Sequence, residues 1–285
     1  MQRPRVSAIV LSMGNRPAEL AKALDTLRAQ TGVELQTILV GNGWRPEGVP
    51  GWVETYYEPE NTGCPGGRNI GASHATGDFL FFYDDDAFLP RPDVLARMVA
   101  RMGPGVAVVQ PHGVDPGGRP TPRRWVPRLR AGRATGGDVA VFWEALCLVR
   151  RTAFESAGGW AGNFFFGHEG VDLAFRLLDA GWSLVYAPDI EVCHPATTAA
   201  RHAHHYRLTA RNRAWVAKRN LPAPLLPVYL GVWAAATVAR VRDPRFVATW
   251  FRGLAEGLRT DAGPRRPISW ATVARMTRLG RPPVW

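Results

Sequence analysis

Phe79-Leu80-Phe81-Phe82-Tyr83-Asp84-Asp85-Asp86-Ala87-Phe88 sets five apolar residues directly against three consecutive carboxylates. A short unbroken apolar run reads as a strand buried on both faces, as at the centre of a parallel sheet. Three adjacent acids left dry and unpaired repel one another by several kcal/mol, so a cation must sit beside them. The plain alternative is a solvated acidic turn capping the next helix. Acids that follow a hydrophobic strand with no spacer also suit oxygen ligands for a hard divalent cation at the carboxyl edge of an open sheet.

The preceding residues supply the rest of such a sheet. Residues 6–11 read as a first strand, and Pro17 suits the first turn of a helix. Residues 18–30 then place Leu20, Ala23, Leu24 and Leu27 on one helical face. Residues 35–40 form a second strand, ended by Gly41-Asn42-Gly43, and residues 53–57 a third. Strand, helix and strand with short connections make a right-handed parallel βαβ unit. The segment Asn61-Thr62-Gly63-Cys64-Pro65-Gly66-Gly67-Arg68-Asn69-Ile70-Gly71 reads as a glycine-rich loop leading into a short helix over 68–75. Its glycines allow close backbone approach to a ligand, and Arg68 can neutralise phosphate. It is neither a Walker loop nor a GxGxxG turn.

Downstream, residues 93–102 read as a helix and 106–110 as a strand. Residues 112–138 are rich in Gly, Pro and Arg without periodicity, which predicts a substrate-facing or disordered excursion. A strand over 139–150, a short helix over 151–157 and a turn at Gly158-Gly159-Trp160 follow. A helix is expected from about Val171, with Glu169 and Asp172 on one face of its start. The helix dipole favours acids there, so a well-capped helix without chemistry is the bland alternative. His168-Glu169 is not a zinc helix, because Asp172 stands where HExxH needs its second His. Residues 182–187 form the last strand, and 189–194 lead out to His194.

A chain of 285 residues, 46% apolar and 21% charged, can bury a sizeable core. The net charge of +11 is carried almost wholly by Arg and is concentrated after Arg201, which favours an anionic partner. Nucleic acid is not the expected one, because the Arg residues form no recognisable reader. Cys64, Cys147 and Cys193 are isolated and odd in number, which suits free thiols in a reducing cytoplasm. No export signal is visible, and the longest apolar stretch, 225–239, is shorter than the ~20 residues that span a bilayer.

Arg201, His202, His204, His205, Arg207, Arg211 and Arg213 make a basic stretch with Tyr206 and Trp215 interleaved, expected as a polar helix face near a phosphate. An apolar helix over 225–239 follows, then Phe246, Trp250, Leu254 and Leu258 recur every four residues, flanked by Arg. Such helices lie in a membrane interface, pack on the rest of the chain or pair two copies as a homodimer. Membrane contact would put the protein at the inner face of the cell membrane.

In their shared order, these pieces resemble the family 2 glycosyltransferases, inverting enzymes of the GT-A fold, over about residues 5–215. The resemblance rests on Asn15-Arg16-Pro17, Asn61-Thr62-Gly63 through Gly71, Asp84-Asp85-Asp86, Gly158-Gly159-Trp160, and Glu169 with Asp172-Leu173 and Arg176. It implies an α/β GT-A catalytic domain over 1–198, with a nucleotide-sugar half (about 1–110) and an acceptor half (about 111–198). Residues 199–285 would be a helical extension. It also implies a nucleotide-diphosphosugar donor (UDP-, dTDP- or GDP-linked), a divalent cation (Mn2+ or Mg2+), and a glycan or lipid-linked acceptor. Asp84 and Asp86 match the ends of the DxD motif, with Asp86 the expected metal ligand, Asp84 towards ribose or metal, and Asp85 supporting. His194 matches a position near metal or diphosphate. Arg68, beside Gly67, is the expected diphosphate contact. Glu169 is the expected base, with Asp172 as the alternative or an acceptor-orienting group. Two departures stand out. Strand two ends on Val40-Gly41-Asn42 rather than on Asp, leaving Asn42 to contact the nucleotide, and Gly170 replaces the usual Asp after the Glu.

Two rivals remain. A nucleotidyltransferase also joins a glycine-rich loop to metal-binding acids, but would need a GxGxRxxP-type start that residues 11–17 lack. A catalytically silent scaffold of the same fold is compatible with Gly41 and Gly170, while Asp84, Asp86 and Glu169 argue for an enzyme.

Overall fold

The structure is a computed structural model, and it describes residues 3–129, 134–196 and 203–285. Its centre is an eight-stranded sheet in the order β3-β2-β1-β4-β7-β5-β8-β6. The first half follows the sequence closely. β1 (Arg5–Ser12) leads through α1 (Pro17–Arg28) to β2 (Glu34–Asn42) and β3 (Glu54–Glu58). α1 buries the four residues its periodicity selects, Leu20, Ala23, Leu24 and Leu27. β4 (Phe79–Asp84) pairs in parallel with the other side of β1. The chain thus reverses its direction of sheet growth between β1 and β4, the place where open sheets leave a crevice at their carboxyl edge.

β4 is buried on both faces. Leu80 and Phe82 join the core under α2 (Gly63–Ser73), α4 (Arg151–Ser156) and α5 (Glu169–Asp179). Phe79, Phe81 and Tyr83 join the opposite core under α1 and α3 (Val94–Ala100). Its second neighbour is antiparallel: β7 (Cys147–Arg150) runs against both β4 and β5 (Val106–Val114).

Three elements differ from expectation. The glycine-rich stretch is not a loop before a helix; it is the first turns of α2, which begins at Gly63. Gly67 fits there because a Cβ would stand 2.3 Å from Leu11 Cδ1, so its absence lets α2 lie on β1. The strand expected over 139–150 is two strands, β6 (Gly137–Val139) and β7, separated by an irregular segment that carries Phe142, Trp143 and Glu144. Residues 112–138 differ in part, since β5 continues to Val114 and Trp125 is 2% exposed, while residues 130–133 lie outside the described residues.

β8 (Ser183–Cys193) ends the sheet and delivers His194. The proposed boundary at 198, with Arg201 and His202, lies outside the described residues. Beyond it come α6 (Ala203–Asn220), α7 (Leu225–Arg240), α8 (Pro244–Arg259) and α9 (Trp270–Arg278). Trp215, Val216, Leu221, Tyr229, Ile268 and Met276 join the same core as α5, so these helices pack on the sheet layer. α8 packs on α6 through Gly253, Gly257 and, of its every-fourth stripe, Trp250, while Leu258 is exposed. A Cβ at Gly253 would lie 2.2 Å from the Arg207 carbonyl oxygen, which is why α8 can approach α6 so closely. Among the described residues, no helix is long and apolar enough to cross a membrane.

Candidate active site

A cleft of about 620 Å³ opens at the carboxyl ends of β1, β2 and β4. Asp84, the last residue of β4, is partly exposed there. Its Oδ1 accepts from Arg68 Nη2 at 2.7 Å, and its Oδ2 lies 3.3 Å from His194 Nε2. Burial opposes ionisation of Asp84, but Arg68 and His194 outweigh it and hold the carboxyl down at about 2. Asp86 Oδ1 also lies 3.3 Å from His194 Nε2. Arg16, ahead of α1, pairs with Asp86 and reaches Asp85 at 3.4 Å. Asp85 accepts from Ser12 Oγ at 2.6 Å, and burial pushes its carboxyl up to about 6.

Asp84, Asp86 and His194 bring three ligand atoms within 4.8 Å of one another. His194 Nδ1 donates to the Pro195 carbonyl at 2.9 Å, which leaves Nε2 facing the two carboxylates: protonated, the ring bridges them, and deprotonated, Nε2 is a third ligand atom. With the ring neutral, three acceptors face one another and leave a place for a cation. Two carboxylates and an imidazole suit Mn2+ or Mg2+. The stacked Trp125 and Trp143 rings, whose centroids lie 5.2 and 5.3 Å from that of the imidazole in T-shaped contact, wall it in. Trp125 comes from the segment expected to be an excursion.

Arg68 is 2% exposed and crosses from the donor-side acids to the second carboxylate site, with Nη1 3.9 Å from Glu169 Oε1. Its Nε and Nη1, together with Glu169 Oε2, are buried without a hydrogen-bond partner among the described residues. Glu169 is 1% exposed, and burial followed by repulsion from Glu144 pushes its carboxyl up to about 8. Glu144, partly exposed in the cleft wall, is also raised, chiefly by burial. Sequence reasoning missed Glu144, because its segment reads as strand and carries no motif. It also missed the ion pairs of Arg16, although Asn15-Arg16-Pro17 contributed to the resemblance.

The remaining candidates lie elsewhere or are otherwise engaged. Asp172 does not line the cleft. It is fully buried and accepts from Arg176 Nη2 at 2.6 Å, Arg219 Nε at 2.8 Å and Asn220 Nδ2 at 2.7 Å, which ties α5 to α6. These partners outweigh burial and keep its carboxyl low. Asn42 lines the cleft, but both ends of its amide hold the start of α2: Oδ1 accepts from Thr62 N at 2.9 Å, and Nδ2 donates to Asn61 Oδ1 at 3.0 Å. Gly67 faces β1 rather than the cleft.

Similar architectures occur in known proteins. The chain matches "N-acetylglucosaminyl-diphospho-decaprenol L-rhamnosyltransferase" of Mycobacterium tuberculosis at 36% identity over 104 residues, covering 32% of this chain and 34% of that protein. It matches "Pre-mycofactocin glycosyltransferase" of the same organism at 29% over 159 residues, covering 52% and 33%. The chain thus spans about a third of the length of these curated relatives. Among solved structures, the mannosyltransferase PcManGT from Pyrobaculum calidifontis, in complex with GDP-Man and Mn2+, superposes with a TM-score of 0.60 at 21% identity, covering 98% of this chain and 85% of that one. S. aureus TarS 1-349 in complex with UDP-GlcNAc does so with 0.61 at 13%, covering 95% and 83%. These likenesses establish the GT-A type of fold. The sequence pattern of the family described as glycosyl transferase family 2 matches residues 8–158, more than half of the chain, and the chain belongs to that family.

Proposed function

We propose that the protein is an inverting glycosyltransferase that moves a sugar from a UDP-, dTDP- or GDP-linked donor to an acceptor hydroxyl in one displacement. The observation that carries this is the convergence of Asp84, Asp86 and His194 on one point beside Arg68, across the cleft from a pair of proton-poised carboxylates. Asp84, Asp86 and His194 would hold a divalent cation, which would neutralise the charge developing on the departing diphosphate. Arg16, now on Asp85 and Asp86, swings to the diphosphate once those acids are otherwise engaged. Arg68 keeps Asp84 ionised and fixes the distance between the two halves of the site.

Glu144 and Glu169 act as one titrating unit, because each raises the cost of ionising the other. A carboxylate pair holding one proton near neutral pH suits general-base work. Glu169, the more deeply buried of the two, keeps that proton although Arg68 opposes this, and Glu144, open to the cleft, takes the proton of the attacking hydroxyl. Asp172 has no part in this. The curated relative named for an L-rhamnosyl transfer to a diphospho-decaprenol-linked sugar supports a lipid-linked acceptor. A panel of nucleotide sugars with Mn2+ tests the reading through release of nucleoside diphosphate. One donor is expected to be turned over, and neither turnover nor binding of any donor would overturn the proposal in favour of a silent scaffold.

A further inference from the structure

Three stretches of the chain, residues 116–137, 192–242 and 262–285, contain no Asp or Glu at all. The structure brings residues of all three together beside the cleft. Arg124, from the first stretch, and His205, on α6, line the cleft. Behind His205, the guanidinium of Arg213 lies flat on Trp233 of α7, 3.2 Å from the ring centroid. Arg281, just past α9, comes from the third stretch. Its Nε and the Nδ1 of His205 are both buried without a hydrogen-bond partner among the described residues.

The charged groups acting on these residues are positive, and the Tyr229 hydroxyl, which hydrogen-bonds Arg213, opposes them. Burial, then Arg213, His205 and Arg281, hold His168 well below its ordinary range. Burial, then Arg213, push Arg281 down to about 10, with Arg123 adding and only the Tyr229 hydroxyl opposing. Arg68, Arg176 and Arg219 have carboxylate partners instead: Arg68 has Asp84, and Arg176 and Arg219 share Asp172. His205, Arg213 and Arg281 have no carboxylate partner among the described residues, and like charges gathered in a low-dielectric place in that way are costly. Guanidinium groups with unused donors are matched in geometry and charge to phosphate oxygens.

We propose that Arg124, His205, Arg213 and Arg281 form a second anion site that takes the phosphate or diphosphate of the acceptor, so that the sugar acceptor is a phosphate-linked molecule. This rests on the reading of the cleft as a glycosyl-transfer site and names the substrate class of its other half. The donor diphosphate would belong to the acidic end, where Asp84 and Asp86 need a cation. An anion at the basic end needs none. The site therefore discriminates between two phosphorylated substrates by opposite means.

The test uses inorganic pyrophosphate with the full chain in EDTA, so that binding cannot run through a divalent cation. Wild type should bind it by calorimetry, and Arg281→Gln and Arg213→Gln should weaken binding at least tenfold. Arg281→Lys should retain most of it. Arg259→Gln, on α8 and outside the cluster, should leave it unchanged. Melting temperatures of all variants separate lost binding from lost folding. No binding by wild type, or equal binding by folded Arg281→Gln and Arg213→Gln, overturns the proposal. A separate titration of wild type with nucleotide sugars and Mn2+ keeps the two readings apart. Donor binding without pyrophosphate binding sinks this inference alone, whereas loss of both sinks the reading of the whole cleft. A short-chain alkyl pyrophosphate compared with vesicles carrying a polyprenyl pyrophosphate then identifies the source. Tighter binding to the vesicles indicates a lipid headgroup, and equal binding a soluble ester.

Discussion

Glu144 occupies the space that a side chain at Gly170 would need. A Cβ built on Gly170 would stand 2.6 Å from Glu144 Oε2 and 3.2 Å from the Phe142 carbonyl oxygen. Position 170 is therefore glycine because a carboxylate from a different segment already fills that corner of the cleft.

Gly170→Ala should displace Glu144 and slow transfer at least tenfold, about 1.4 kcal/mol in the barrier. Glu144→Gln should do as much with donor binding intact. The double variant Glu144→Ala with Gly170→Asp returns a carboxylate to the same corner and should recover part of the rate. Turnover of the donor identified in the nucleotide-sugar panel provides the measurement. Full activity in Glu144→Gln would remove Glu144 from the mechanism.

The raised carboxyl of Glu169 also has a signature in stability. Between its ordinary 4.5 and about 8, the folded state holds a proton that the unfolded chain has lost. This contribution is present in full below the ordinary carboxylate range and disappears as pH rises towards 8. Asp84 works in the other direction: held at about 2, it stabilises the fold above its ordinary 3.8, and that contribution is lost as pH falls. Urea denaturation from pH 5 to pH 9 should show stability declining in wild type and a flatter profile in Glu169→Gln. Parallel profiles would mean that Glu169 titrates normally.

Much of this was written into local sequence. The run from Phe79 to Tyr83 alternates between two cores and can only be an interior strand, so the placement of Asp84 at a strand end followed directly. The periodicity of α1 did the same for its buried face. What escaped depended on distant partners. Glu144 has no motif, and its place beside Gly170 arises only when β6 and β7 flank an irregular segment. Asn42 looked like a nucleotide contact because it ends β2, yet its amide is taken up by Asn61 and Thr62. The glycines of 63–71 suggested a loop because glycine disfavours helix, but close packing on Leu11 and Ile9 overrides that propensity.

Asp172 illustrates the same limit and yields a prediction about stability. Helical spacing put it beside Glu169, but its carboxylate points into α6 and holds Arg176, Arg219 and Asn220. Arg176 in turn donates to the Gly159 carbonyl at 2.8 Å, so the cluster also fixes the turn after α4. Asp172→Ala leaves two buried guanidinium groups without their shared partner and should cost about 3–5 kcal/mol. Urea denaturation should show this loss. A variant of wild-type stability with abolished transfer would instead return Asp172 to catalysis.

The acidic end of the cleft makes the most direct prediction. In the free protein, Arg16 pairs with Asp86 and His194 bridges Asp84 and Asp86, so positive charge already occupies the place a divalent cation would take. Mn2+ must displace Arg16 and the proton of His194, and its binding should therefore weaken steeply as pH falls. Burial opposes protonation of His194, but Asp84 and Asp86 outweigh it and raise its pKa, which extends this competition above the ordinary histidine range. Arg16→Ala should tighten Mn2+ binding by removing one competitor, whereas Asp86→Asn should weaken it at least tenfold. Calorimetric titration with Mn2+ between pH 6 and pH 8 distinguishes these outcomes. Unchanged affinity in Asp86→Asn would show that the three ligand atoms do not form the metal site.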